Sequence, residues 1–274
     1  MPRFAASDGV TLHYDDDGSG LPVLCLPGLT RNGADFDHVA PQLSAHRMIR
    51  LDSRGRGKSD WADPATYTIP VEAMDVLALL DHLALDEVAI LGTSRGGLIA
   101  MSLAAMAKHR LLGICLNDIG PVIDQKGLDT IAGYIGKPPP YPSLDLAART
   151  RAETWRAFEN VSLDRWLAEV TAHYEETPDG LVLRYDPALA DAFQAGASAA
   201  DLPDLWPLFD AMDGLPLALI RGVNSDLTSK ATASEMARRR PDMIWAEVPG
   251  RGHVPFLDEP EAEVAIAAWL ERLS

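Results

Sequence analysis

Val88-Ala89-Ile90-Leu91-Gly92-Thr93-Ser94-Arg95-Gly96-Gly97-Leu98-Ile99-Ala100-Met101 opens as a β-branched and aliphatic run. It passes through a Gly-x-Ser-x-Gly and leaves as an apolar run at helical spacing. The pattern predicts a strand, a sharp turn and a helix, with Ser94 at the turn. A serine there is raised clear of the sheet on a strained backbone. Gly92 and Gly96 lack Cβ atoms, so strand and helix can cross closely. The helix beyond Ser94 directs free N–H groups and a positive dipole end at any oxyanion formed above it. A plainer reading is a glycine-rich turn before a buried helix. The strand-then-helix context favours a nucleophile.

Working outward, short apolar runs recur between helical patterns. Strands are expected over 10–14, 22–26, 48–51, 88–91 and 112–117, and again over 216–220 and 243–248. A helix is expected over 70–83, with Pro70 near its first position and Val76, Leu79, Leu80 and Leu83 on one face. The regularity breaks at Gly120-Pro121. From there to about Asp213 there are helical patterns but no core strand. Ser143 can cap a helix running towards Phe158, and Ser162 opens another over 163–174. Thr177-Pro178-Asp179-Gly180 reads as a turn, and 201–212 as a short helical piece. After the strand rhythm resumes, helices are expected from about Ser229 and from Glu259. Asp258 and Glu261 look like the cap of the last helix, whose face is Ile266, Trp269, Leu270 and Leu273. Alternating strand and helix units imply a mostly parallel sheet covered on both faces. The core would comprise 1–120 and 214–274, with 121–213 a helical lid inserted between two strands.

Composition bounds the partners. Of 274 residues, 47% are hydrophobic, enough for a sizeable core. Lys and Arg total 24 against 40 Asp and Glu, a net charge of −16. That balance argues against nucleic acid and against an anionic membrane. The first residues, Met1-Pro2-Arg3-Phe4-Ala5-Ala6-Ser7-Asp8-Gly9, have no apolar signal region. The longest low-polarity run, 96–107, is too short to span a bilayer. A cytoplasmic location is expected.

A serine hydroxyl is a poor nucleophile at neutral pH. It needs a histidine to take its proton and an acid to hold that histidine in the right tautomer. His13 precedes the core strands. His38 and His82 lie in helical patterns, His46 and His109 precede strands at the far edge of the sheet, and His173 is on a lid helix. His253 follows strand 243–248 in Pro249-Gly250-Arg251-Gly252-His253, at the same strand-end edge as Ser94, where open α/β sheets bind ligands. Two acids reach that edge. Asp226 follows strand 216–220 in Arg221-Gly222-Val223-Asn224-Ser225-Asp226, and Asp118 follows strand 112–117. Asp226 is favoured because the order Ser94, Asp226, His253 matches the Ser…Asp…His order of such folds. Asp118 is the alternative, with turn capping as its plainer role. For an oxyanion, the N–H of Arg95 needs a second donor. The turn Leu26-Pro27-Gly28-Leu29-Thr30 offers the N–H of Leu29.

The chain resembles the α/β-hydrolase fold superfamily, in particular its small lid-bearing esterase-like members. The resemblance covers nearly the whole chain. It rests on the Leu29 turn, Asp52-Ser53-Arg54-Gly55-Arg56-Gly57-Lys58-Ser59, the elbow at Ser94, Arg221-Gly222 leading to Asp226, and Gly252-His253 with Pro255-Phe256. It implies an eight-stranded sheet of order 1-2-4-3-5-6-7-8 with strand 2 antiparallel, the lid inserted after strand 6, and hydrolysis with no cofactor and no metal. In that order the strands of Cys25 and Cys115 lie two spacings apart, roughly 9–10 Å, beyond the roughly 7 Å limit for a disulfide. Two thiols without a secretory signal fit a reducing cytoplasm. The chain departs from many relatives in carrying Pro27-Gly28 where they carry His-Gly, and Arg95 where Met, Leu or Gln is usual. Backbone donors survive both changes, while Arg95 would make the pocket more polar. The Asp52–Ser59 segment reads chiefly as an arginine-clamped turn.

The expected chemistry is acyl transfer from a small-molecule carboxylic ester or lactone. Ser94 would attack, His253 would carry protons, and the N–H groups of Leu29 and Arg95 would hold the oxyanion. Arg31, Tyr134, Tyr141, Trp155 and Trp206 are candidates for the substrate pocket, with lid packing as the alternative for the aromatics and a salt bridge for Arg31. Phe158 and Trp166 are further aromatics of this kind. On the same fold, hydrolysis of a carbon–carbon bond or cofactor-free perhydrolysis of the haloperoxidase type stays open. So does a ligand-binding or signalling role on a hydrolase scaffold.

Overall fold

The structure, a computed structural model, describes residues 2–194 and 202–273. Eight strands form one sheet: β1 (Arg3–Ala5), β2 (Thr11–Gly18), β3 (Pro22–Leu26), β4 (Arg47–Leu51), β5 (Val88–Thr93), β6 (Leu111–Asn117), β9 (Leu217–Gly222) and β10 (Ile244–Val248). The order across the sheet is β1-β2-β4-β3-β5-β6-β9-β10. Only β2 runs against its neighbours; from β4 to β10 every pair is parallel. This is the expected eight-stranded α/β sheet with its antiparallel second strand.

The period-2 alternation of side chains divides the sheet's apolar residues between two cores. Leu24, Leu26, Ile90, Ile114 and Leu116 point to one face, packed with α1 (Ile69–His82) and α2 (Arg95–Ala107). Val23, Cys25, Ala89, Leu91 and Cys115 point to the other, packed with Ile266 and Trp269 of α9 (Pro260–Leu270). Helix α8 (Lys230–Arg239) adds Ala233 and Met236 to the first core. Cys25 and Cys115 are free and buried, on strands separated by β5.

Local chemistry sets the helix ends. The Thr68 hydroxyl accepts from the Val71 N–H and Pro70 occupies the first turn of α1. The cap of α9 differs from the expectation. Asp258 is paired instead with Arg165. The Glu259 carboxylate accepts from the Phe256 and Leu257 N–H groups and from Arg251, stiffening the loop that leads into the helix. The helix begins at Pro260, so Glu259 and not Asp258 stands at its N-cap, and the Asp258–Glu261 pair is out of position for a capping box.

Between β6 and β9 lie α3 (Gln125–Tyr134), α4 (Leu144–Thr154), α5 (Leu163–His173), α6 (Leu189–Gln194) and α7 (Trp206–Asp210). Ser143 and Ser162 cap α4 and α5 as expected. The helical piece expected over 201–212 is α7; residue 201 lies outside the described residues. Sequence periodicity missed a small antiparallel hairpin, β7 (Tyr174–Thr177) with β8 (Gly180–Leu183), closed by the Thr177–Gly180 turn. It stands apart from the main sheet. A separate apolar cluster of Ala147, Ala148, Trp166, Val170 and Leu181 includes Phe256 from the core loop. Phe158 and Trp166 stack on Phe256 at 5.6 and 6.1 Å, tying the inserted segment to the loop that carries His253.

Candidate active site

Strand β5 delivers Ser94 at the sheet's carboxyl edge with φ 50° and ψ −113°. A non-glycine residue held there costs about 1–3 kcal/mol. The turn is fixed from both sides: the Ser94 N–H donates to the Asn117 carbonyl at 2.9 Å, and its carbonyl accepts from Gly97 at 2.9 Å. The flanking glycines are required sterically. A Cβ on Gly92 would lie 2.7 Å from the Gly97 nitrogen, and one on Gly96 would overlap the Leu26 carbonyl oxygen.

His253 meets Ser94 as anticipated, its Nε2 standing 2.9 Å from the Ser94 Oγ. On its other side the structure corrects the expectation. The carboxylate behind His253 belongs to Asp118, whose Oδ2 lies 2.7 Å from Nδ1. Asp226 makes no such contact; its Oδ2 accepts from the Thr130 hydroxyl at 2.9 Å, while the residue lines the cavity. Sheet register supplies the reason. Strands β5 and β6 are neighbours and pair Thr93 with Asn117, so the next residues, Ser94 and Asp118, emerge side by side. Asp226 lies four residues beyond the end of β9. The intervening loop lends a hydroxyl to the site: Ser225 Oγ donates to Asp118 Oδ2 at 2.6 Å, and the Gly222 N–H donates to Oδ1 at 3.0 Å. Asp118 is fully buried, and its carboxylate is met by three donors, the Gly222 N–H, the Ser225 hydroxyl and the His253 ring.

Leu29 borders the same cavity. Its carbonyl accepts from Arg56 Nε at 2.8 Å, which orients the Leu29–Thr30 peptide. Among the described residues, no hydrogen-bond acceptor is found for the N–H of Leu29 or of Arg95. The Arg95 side chain turns away, pairing with Glu72 at 2.7 Å and with the Tyr67 carbonyl. It therefore does not add the polarity to the pocket that the sequence suggested. Arg56 shares Glu72, and Arg54 is held by Asp75 in a bidentate pair, so the Asp52–Ser59 segment is the arginine-clamped turn expected.

A cavity of about 750 Å³ opens above Ser94, a size suited to a small organic molecule. Arg31, Tyr134, Tyr141 and Trp155 line it. Trp206 does not. It packs on Phe209 and under the Arg239 guanidinium, away from the site. Trp166, too, packs inside the inserted segment and stays off the cavity wall.

Sequence reasoning missed a second set of residues on this wall. His173, on α5, is buried between two guanidiniums, Arg31 and Arg151. Its Nε2 lies 2.8 Å from the Asp35 carboxylate and its Nδ1 lies 3.2 Å from Arg151 Nη1. Arg31 Nη1 also lies against Nε2, so the ring is enclosed by two guanidiniums and one carboxylate. Burial, aided by the charges of Arg31 and Arg151, pushes its pKa well below the ordinary value of 6.5. The available signal was on α4, where Arg151 shares the buried face with Ala147 and Ala148. An arginine on the apolar stripe of a helix calls for a partner.

The chain belongs to the alpha/beta hydrolase family, whose model matches residues 23–268. It is 34% identical over 263 residues to a 3-hydroxybutyrate-oligomer hydrolase of Cupriavidus necator, covering 93% of this chain and 89% of that protein. It is 26% identical to a 2-(acetamidomethylene)succinate hydrolase of Mesorhizobium japonicum, covering 94% and 90%. Among solved structures, an alpha/beta hydrolase from Novosphingobium aromaticivorans superposes with a TM-score of 0.92 at 37% identity, covering 99% of this chain and 97% of that one. The chain is a hydrolase of this family. Among the described residues no helix is long and apolar enough to cross a membrane.

Proposed function

We propose that this protein hydrolyses carboxylic esters of small molecules through an acyl-enzyme on Ser94. The observation that carries the reading is the unbroken hydrogen-bonded line Ser94–His253–Asp118 beneath a cavity of small-molecule size. His253 Nε2 takes the proton of the Ser94 hydroxyl as Oγ attacks the ester carbonyl. Asp118 keeps the other proton of the ring on Nδ1 and stabilises the imidazolium while it lasts. The N–H groups of Leu29 and Arg95 receive the oxyanion of the tetrahedral intermediate. Collapse expels the alcohol, which leaves with the proton held by His253. Water then gives a proton to Nε2, attacks the acyl carbonyl and releases the acid, and Ser94 recovers its hydrogen. No step calls for a cofactor or metal.

The segment 121–213 serves as the lid in this reading, since α3, α4 and α5 bring Tyr134, Arg151 and His173 to the cavity wall opposite the sheet. The relative from Cupriavidus necator, named for an ester-linked oligomer, favours an ester or lactone over a carbon–carbon bond. Turnover of p-nitrophenyl butyrate by the wild type, lost by about 1,000-fold or more in Ser94→Ala, is the expected result. Equal turnover by the two proteins contradicts the assignment.

A further inference from the structure

We propose that Arg151 is the receptor for a free carboxylate on the substrate, so that the enzyme takes esters that carry a free, ionised carboxyl group besides the ester to be cleaved. The inference rests on the ester-hydrolase reading and adds the substrate's charge to it.

Arg151 is nine-tenths buried, at 9% exposure, on the wall of the cavity that holds Ser94 and His253. Its side-chain hydrogen-bond neighbours are a histidine and a tyrosine, with no carboxylate among them. Nη1 lies 3.2 Å from His173 Nδ1 and Nη2 lies 3.0 Å from the Tyr174 hydroxyl. Its faces rest on Trp155 and Tyr174, with ring centroids at 4.7 and 5.3 Å. Among the described residues no carboxylate comes within 4 Å of it. Arg31, across His173, is different: Glu169 lies 3.3 Å and Asp35 3.5 Å from its Nη1. The two acids of the cluster are thus committed to Arg31 and to His173 Nε2. A buried cation held only by neutral acceptors is costly to keep. Its stacking on two rings and its hydrogen bonds fix the planar guanidinium in place, ready to receive a carboxylate.

The wider cavity points the same way. The molecule carries 40 acids against 24 basic residues, yet four of the five charged residues lining the cavity, besides its two histidines, are cations: Arg31, Lys137, Arg151 and Arg156. Asp226 is the one acid. Glu169 and Asp35 offset Arg31, which leaves Arg151, Lys137 and Arg156 as the cations of the wall that can draw in an anion.

The test uses a matched pair: the linear dimer of 3-hydroxybutyrate as the free acid, and its methyl ester. Binding to Ser94→Ala is followed by calorimetry, which requires no turnover. The acid should bind at least roughly tenfold more tightly than the methyl ester, as for a hydrogen-bonded charge pair. Adding Arg151→Gln should abolish that preference, and Arg151→Lys should keep part of it. The Lys variant, which retains charge and most of the stem, separates loss of the receptor from loss of the fold. In otherwise wild-type enzyme, Arg151→Gln should lower the ratio of kcat/KM for acid over methyl ester by about the same factor. Equal binding of acid and ester to Ser94→Ala overturns the proposal, as does an Arg151→Gln protein that keeps the full preference. If the wild type cleaves no ester while Ser94→Ala still prefers the acid, the hydrolase reading falls and the anion subsite stands.

Discussion

At the scale of single residues, the informative case is which aspartate serves His253. The order of serine, acid and histidine along the chain is satisfied by Asp118 and Asp226 alike, so order alone carried no discrimination. Register did. One residue beyond paired strand ends is a fixed place, whereas four residues beyond a strand depends on the loop's path. Asp118 carries a φ of 54°, as Ser94 carries 50°, so both residues sit in the left-handed region directly after their strands. Asp118→Asn should lower kcat for p-nitrophenyl butyrate by roughly 1,000-fold or more, because the amide disfavours the tautomer that Ser94 needs. Asp226→Asn should stay within about tenfold of wild type. Steady-state kinetics of the two variants side by side decide between the acids, and the reverse ranking would restore Asp226.

At the scale of elements, the β5–turn–α2 unit was legible because three constraints coincide there: an apolar strand, glycines where strand and helix cross, and an apolar helix. The inserted segment was legible only in part. Caps at Ser143 and Ser162 announce α4 and α5, but β7 and β8 have four residues each, too short for alternation to register. Nor did His173 stand out, since its neighbours Arg31 and Asp35 come from another element. Its burial has a consequence for stability. The ring is neutral when folded and protonates at ordinary pH when unfolded. Its contribution is therefore whole above about pH 6.5 and is lost as pH falls further, by at most about 1.4 kcal/mol per unit. Asp35, pushed up by burial, works in the opposite sense closer to its ordinary value of 3.8. Urea unfolding between pH 7.5 and 5.5 should thus show a shallower loss of stability in His173→Gln than in the wild type. Parallel curves would contradict a buried neutral imidazole.

At the scale of the whole molecule, the alternation of strand and helix carried the mostly parallel sheet, and the resemblance carried its order and its antiparallel second strand. Neither carried the charge pattern of the cavity. Net charge is a sum over the surface, and the cavity wall is assembled from the β3 turn, α3, α4, α5 and the loop after β10. The same convergence assembles the candidate active site. Ser94, Asp118 and His253 come from three strand ends of one sheet, and the aromatic stack on Phe256 fastens the inserted segment over them.

The most direct measurement is intact and peptide mass spectrometry of the protein after reaction with a fluorophosphonate, which traps a serine activated by an adjacent base. One phosphonyl group should be found per chain, on the peptide bearing Ser94, with loss of esterase activity in step with labelling. Labelling of another residue, or full inactivation with Ser94 unmodified, would contradict the account.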